Sequence, residues 1–426
     1  MTTLIVFSHL RWDHVYQRPQ HLLTRLARTY PVLFIEEPVR DAAPAGFEQR
    51  HAQPGLHVLR PHTPLDAPGF HDDQLALLGP LLIGYLQARG IDDYAVWFYT
   101  PLALPLLECL GPRAVIYDCM DELSAFKGAP SQLRPRERAL LRRADVVLTG
   151  GPSLHDARVA VRADAHCLPS AVDAAHFAPQ GLTWHGAPAQ AALHAMSGLG
   201  QPRLGFTGVI DERMDLELVD WLATHRPDWQ LIMVGPVAKI DPASLPRHAN
   251  LHWLGFQPYA SLPYFLAQWD ICIMPFALNE ATRFISPTKT LEYLAADKPV
   301  VCTPVADVIR LYGEAVRIGS TPEQFAMHCE SVLGRGTART EEERRQARAL
   351  VAESSWDRAA GRVSALIGNA LDPRAAEVSR GRTPAAPPTH GPATLAPRRG
   401  ARAPHAVRRL IVGADRADSG TVRIRG

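Results

Sequence analysis

The sequence predicts an α/β protein of two successive doubly wound domains facing a cleft. Three observations carry this. Short apolar runs alternate with helix-period segments over roughly the first 178 residues, an Ala/Gly/Gln-rich stretch then breaks the pattern, and the alternation restarts at Arg203. Continuous apolar strands alternating with helices imply parallel sheets covered on both faces. The expected boundaries are 1–178 for the first domain, 179–202 for a linker, 203–371 for the second domain and 372–426 for a tail. Ligands of such domains lie at the carboxyl ends of the strands.

In order, Leu4–Ser8 reads as the first strand, and RPQHLLTRLARTY opens a helix with Pro19 in its first turn. Val32–Ile35, Leu56–Leu59, Tyr94–Tyr99, Ala114–Tyr117 and Asp145–Thr149 read as strands. Asp73–Ala88, Leu102–Leu110, Pro135–Ala144 and Pro152–Val161 read as helices, and Ala165–Pro169 is extended. The second series has strands at Arg203–Thr207, Gln230–Val234, Asn250–Leu254, Ile271–Pro275 and Val300–Thr303, with helices at Leu216–His225 and Ala260–Gln268. Beyond Pro322 the pattern is helical, and Trp356, Ala360, Val363 and Ile367 form one apolar stripe. From about Asp372, Pro, Arg, Ala and Gly dominate and disorder is expected. The late RRLIVGADRADSG has Asp415 where a dinucleotide fingerprint needs its second glycine, so it reads as a non-functional tail.

A chain of 426 residues with net charge +2 has ample core and no pull toward nucleic acid. Cys109, Cys119, Cys167, Cys272, Cys302 and Cys329 show no CxxC or metal-ligand spacing and read as free thiols. No leader is evident, and the longest apolar run, Leu75–Ala88, is too short to span a bilayer. A cytoplasmic location follows, with a peripheral contact at the inner membrane face left open.

The densest chemistry lies in Asn279–Pro304. Ser286 reads as a helix N-cap and Pro287 as the first helical residue. Lys289, Glu292, Tyr293 and Ala296 then share one face, opposite Leu291, Leu294 and Ala295. A cation and a carboxylate one turn apart beside free backbone N–H groups suit a phosphate. The same residues also suit a solvated surface pair.

ISPTKTLEYLAADKPVVCTP resembles the PxKxxEYxAxGKPVV segment of the retaining family 4 (group 1) GT-B glycosyltransferases, of the teichuronic-acid and exopolysaccharide type. RADVVLTGGPSL with CLPSAVDAAHF, RLGFTGVIDER, WQLIMVGP, NLHWLGFQPYASLPYFLAQWDICIMPF and the opening SHLRWDHVYQRPQHLLTRLA are similar to further segments of that family. The resemblance spans Thr3 to Leu371. It implies two Rossmann-like domains, with the C-terminal helix packing back toward the first. It also implies transfer of a sugar, with retention, from a nucleoside diphosphate donor (a UDP-sugar by the family's habit) to an acceptor hydroxyl. The acceptor implied is a glycan or a lipid-linked sugar, in envelope or exopolysaccharide synthesis.

By the same resemblance Glu292 matches the second glutamate of the family's pair and accepts the ribose hydroxyls, with Lys289, Ser286 and Thr288 facing the diphosphate. The first glutamate falls at Phe284, so Asn279 or Glu280 is the nearest substitute. Val209 stands where the family has an arginine; Arg213 replaces it as the cation on the leaving group, with Lys239 as a weaker candidate. Asp297 replaces the glycine that ends the helix, a position Asp tolerates in the left-handed conformation. Base choice is expected to rest on backbone near Gly255–Gln257.

On the acceptor side, the loop after the first strand carries Ser8, His9, Arg11, Trp12 and Asp13, followed by Arg18 and Gln20. Arg18 is placed to reach a phosphate. Asp118 and Asp121 follow a strand and could orient the acceptor hydroxyl, and Asp121 could instead cap a helix. Without a clear DxD no obligatory metal is expected, nor any cofactor beyond the nucleotide sugar. Arg134, Arg136, Arg138, Arg142 and Arg143 make one helix face basic, which suits either an anionic membrane or plain solvent. Two other readings stay open: a nucleotide-sugar epimerase, and a catalytically degenerate scaffold or sensor.

Overall fold

The computed structural model describes residues 1–41, 45–336 and 339–372. The tail reading falls on 373–426, outside the described residues. In the first lobe the strands are β1 (Thr3–Ser8), β2 (Val32–Glu36), β3 (Val39–Arg40), β4 (Gly46–Gln53), β5 (Leu56–Thr63), β6 (Tyr94–Phe98), β7 (Val115–Cys119), β8 (Val146–Thr149) and β9 (His166–Cys167). They form one sheet in the order β3-β5-β2-β1-β6-β7-β8-β9, with β4 antiparallel on β5. In the second lobe, β10 (Arg203–Thr207), β11 (Gln230–Val234), β12 (Leu251–Trp253), β13 (Ile271–Met274), β14 (Val300–Cys302) and β15 (Arg317–Ile318) form the sheet β12-β11-β10-β13-β14-β15. All its pairings are parallel.

The central strands are buried along their length because helices cover both faces of each sheet. β4 and its hairpin with β5 were not anticipated, because β4 is largely polar and has no apolar run; the Pro54-Gly55 turn that joins the two has Gly55 at φ 78°. Cys119, Cys272, Cys302 and Cys329 are buried, Cys109 is exposed, and all six cysteines are unpaired.

The connecting stretch is more structured than its composition suggests. Ala187–Met196 is a helix that buries Ala189, Ala192 and Met196 on one face, and Ala192 and Met196 join Phe265 and Leu266 in the second lobe's core. The chain also crosses back. In the helix Trp356–Leu371, the residues Trp356, Ala360, Val363 and Ile367 join Leu4, Val6, Leu22 and Leu23 in the first lobe's core. The stripe read from the sequence is therefore the strap that ties the end of the second lobe to the first.

Candidate active site

Parallel strands of both sheets end on one inter-lobe cleft with a cavity of about 150 Å³. The second lobe contributes Gly208 and Val209 after β10, Phe276 after β13, Arg213, and the run Ile285 to Lys289. The first lobe contributes Tyr16, Gln17, Arg18, Asp121, Gly150 and Ser170. A smaller hollow of about 40 Å³ adjoins it beneath Gly235, Pro236, Phe256, Gln257 and Tyr259. Val15, Tyr16, Gly208 and Lys289 line both. Gly208 and Gly235 sit at φ 156° and 149°, and a Cβ on Gly235 would collide with the Gly208 carbonyl, so only glycine lets these two strand ends lie so close.

The helix at the centre of the motif spans Lys289–Ala295. Thr288, not Ser286, is its N-cap, and no side chain caps it. The Ser286 hydroxyl is instead buried at the cleft wall with no hydrogen-bond partner among the described residues, while its carbonyl accepts from Ser170 Oγ across the lobes at 3.0 Å. Nor is the helix two-faced: Leu291 and Tyr293 are fully buried and Glu292 nearly so. Tyr293 Oη accepts from the Thr207 N–H at 2.8 Å, which pins the helix to the end of β10. Lys289 Nζ lies 2.9 Å from Glu292 Oε2 in a part-buried pair. Asp297 has φ 56°, the left-handed conformation expected of it, and accepts from Arg344.

Arg213 lines the cleft, but its guanidinium already forks onto Asp211, Nε to Oδ1 at 2.9 Å and Nη2 to Oδ2 at 2.7 Å. It therefore does not offer a whole fork to a ligand. Lys239, held at φ 61°, and Arg213 both face the ring of Phe126 from the first lobe. Asp121 opens on the cleft, and burial raises its pKa against the opposing pull of Arg213, Arg18 and Lys239.

Several expected residues have other duties. Asp118 is fully buried and takes Arg18 bidentately, Nη2 to Oδ1 at 2.8 Å, while Arg18 Nη1 donates to the Leu168 carbonyl at 2.7 Å. This pair braces the first lobe beside the cleft and commits the two charges to each other, although Arg18 still lines the cleft. Arg11 is bound to Glu36 and to the Glu37 and Pro38 carbonyls, and Asp13 pairs with Arg50; neither lines the cleft. Asn279 closes a turn on Thr282 and donates to the Glu212 carbonyl, Glu280 is exposed beside Arg283, and neither lines the cleft. Phe284 packs against the first lobe's core. Ser8 accepts from the Leu10 N–H, Trp12 is in the core, and Gln20 ties the loop to the carbonyls of Trp12 and Val15. His9 Nδ1 is buried without a partner, and burial, aided by Lys239, pushes its pKa down to about 4.

Tyr16, Phe126, Asp211 and Tyr259 were not singled out in the sequence. Tyr16 stacks on Tyr259 across the lobes with centroids 4.7 Å apart. Only its place in an aromatic, polar loop after a strand hinted at it. Asp211 lies in the RLGFTGVIDER segment and Phe126 five residues beyond Asp121, but their partners are set by tertiary contact.

Among the described residues no helix is long and apolar enough to cross a membrane. Residues 201–335 match the family described as glycosyl transferases group 1. The chain is 29% identical over 289 residues to the "Putative teichuronic acid biosynthesis glycosyltransferase TuaH" of Bacillus subtilis (strain 168), covering 63% of this chain and 71% of that protein. Its fold is similar to that of sucrose-phosphate synthase from Thermosynechococcus elongatus, with TM-score 0.64 and 15% identity over 86% of this chain and 98% of the other. It is also similar to Anabaena HepE, solved in complex with UDP and glucose, with TM-score 0.61 and 14% identity over 86% and 100%. The fold is thus GT-B, and residues 201–335 carry the group 1 glycosyl transferase match within it.

Proposed function

We propose that the protein transfers a sugar from a nucleoside diphosphate donor, a UDP-sugar by preference, to an acceptor hydroxyl with retention, in the synthesis of an envelope polysaccharide. The observation that carries this reading is the continuous cleft at the carboxyl edge of the second sheet, in which Lys289 borders both the larger and the smaller hollow. A nucleoside would lie over the open mouth of the smaller hollow near Gly235 and Gln257, and the diphosphate would then lie against Gly208, Ser286, Thr288 and Lys289. The HepE complex with UDP and glucose and the likeness to TuaH support this assignment.

In the reaction, the acceptor oxygen bonds to the anomeric carbon on the face the leaving group departs. The carbon–phosphate oxygen bond breaks, and the acceptor proton passes to the departing phosphate. Lys289 and the edge of Arg213 facing the cleft offset the charge that develops on that phosphate, without a metal. Glu292 steadies Lys289 and accepts the ribose hydroxyls. Asp121, the cleft carboxylate of the first lobe, orients the acceptor. The acceptor is a glycan or lipid-linked sugar, and the exposed Arg134, Arg138, Arg142 and Arg143 suit an anionic inner membrane face.

One observation favours a second reading, a nucleotide-sugar sensor without turnover: the Arg213 fork is occupied by Asp211. Incubation with a panel of nucleotide sugars separates the two. Release of nucleoside diphosphate with glycosylated or hydrolysed sugar supports transfer, whereas binding without release supports the sensor. Inversion at a sugar carbon of the intact donor would indicate an epimerase.

A further inference from the structure

A second polar hollow, of about 170 Å³, lies at the amino ends of β14 and β15, the edge of the second sheet opposite the cleft. Three arginines line it: Arg317 from β15, Arg335 just beyond the helix Pro322–Gly334, and Arg339 before the helix Glu341–Glu353. Glu343 is their shared carboxylate. Its Oε1 takes Arg317 Nη2 and Arg335 Nη2, each at 3.4 Å, and its Oε2 is used by the Thr340 N–H at 2.8 Å in a capping box.

Arg339 has no such partner. It is 5% exposed, Nη2 donates to the Ala315 carbonyl at 3.3 Å, and Nη1 is buried with no hydrogen-bond partner among the described residues. Burial lowers its pKa, opposed only by the fields of Asp297 and Glu343, and Asp297 is itself paired with Arg344. Counting the exposed Glu314, three cations face two carboxylates. A buried guanidinium with an unmet donor is costly, and an anion with several acceptor oxygens would meet it.

We propose that this hollow binds a small phosphate-bearing metabolite, its phosphate held by Arg339, Arg335 and Arg317 and its organic part against Val300, Val316 and Val332. Tetrahedral phosphate presents more acceptor oxygens to three converging forks than a carboxylate does. The site is separate from the cleft, so its occupant acts on the second lobe without displacing a donor.

The test is calorimetric titration of the full chain with inorganic phosphate at fixed ionic strength, with acetate as the control anion. Saturable phosphate binding is expected in the wild type and in the cleft variant Lys289→Ala. Arg339→Gln and Arg335→Gln should each weaken it about tenfold, the loss of one charge-assisted hydrogen bond. Arg335 is 45% exposed at its side chain, so that variant keeps the test open if Arg339→Gln misfolds. Absence of saturation in the wild type, loss of binding in Lys289→Ala, unchanged affinity in the arginine variants, or equal binding of acetate would overturn the proposal.

Discussion

The ammonium of Lys239 in the second lobe lies 4.4 Å from the centre of the Phe126 ring in the first, and the Arg213 guanidinium lies 5.4 Å from the same ring. Beside it, the Lys127 N–H donates to Glu212 Oε1 at 2.9 Å. One first-lobe loop thus holds two second-lobe cations at the edge of the cleft. Such a contact is worth about 1 kcal/mol. Phe126→Leu is expected to weaken nucleoside diphosphate binding about fivefold, and Phe126→Tyr to restore it, in a titration of each variant. Equal affinity of the leucine variant would remove the ring from the account.

The Arg18–Asp118 pair is a stability element. Both side chains are at most 4% exposed, so breaking the pair strands a buried charge. Asp118→Asn should lower unfolding free energy by about 3 kcal/mol or more in urea titrations. Wild-type stability combined with lost turnover would return the pair to the chemistry.

Ser286→Ala separates structure from binding. The hydroxyl is buried with no hydrogen-bond partner among the described residues, so its removal should leave thermal stability equal or slightly higher. If the donor hydrogen-bonds to it, affinity for the nucleoside diphosphate falls by about 1 kcal/mol, roughly fivefold. A drop in melting temperature with unchanged affinity would contradict this.

His21 makes stability depend on pH. It is 4% exposed, stacks on Trp356 at 4.7 Å, and burial holds its pKa down from 6.5 to about 3, with Arg25, Lys289 and His176 adding to the effect. Between these values the unfolded chain takes a proton that the folded one refuses, so stability is full above pH 6.5 and falls as pH drops toward 3. The contribution is at most about 1.4 kcal/mol per pH unit. Urea midpoints measured from pH 7 to 5 should show a shallower fall in His21→Phe than in the wild type; parallel curves would refute the assignment.

The sheets, the strap helix and the left-handed Asp297 were legible because periodicity and local backbone preference determine them. The apolar stripe at Trp356, Ala360, Val363 and Ile367 told that a helix must bury one face, and the first lobe was the available surface. The cap at Ser286 was misplaced because a Ser-Pro pair marks a helix start equally well two residues too early, and here Ser286 meets Ser170 of the other lobe instead. Arg18 with Asp118 is separated by 100 positions, and Phe126 with Lys239 by a lobe boundary. Such pairings leave no local signature, so side chains free in sequence proved committed in space. Arg213 shows the same: its neighbour Asp211 was in view, but that the two would fork together depended on burial of the loop.

The most direct measurement is a crystal structure with UDP. The account predicts the uracil and ribose over the hollow beside Gly235 and Gln257, with the diphosphate within hydrogen-bond distance of Lys289 and of the Ser286–Thr288 segment. A cleft empty at saturating UDP, or UDP bound away from Lys289, would contradict it.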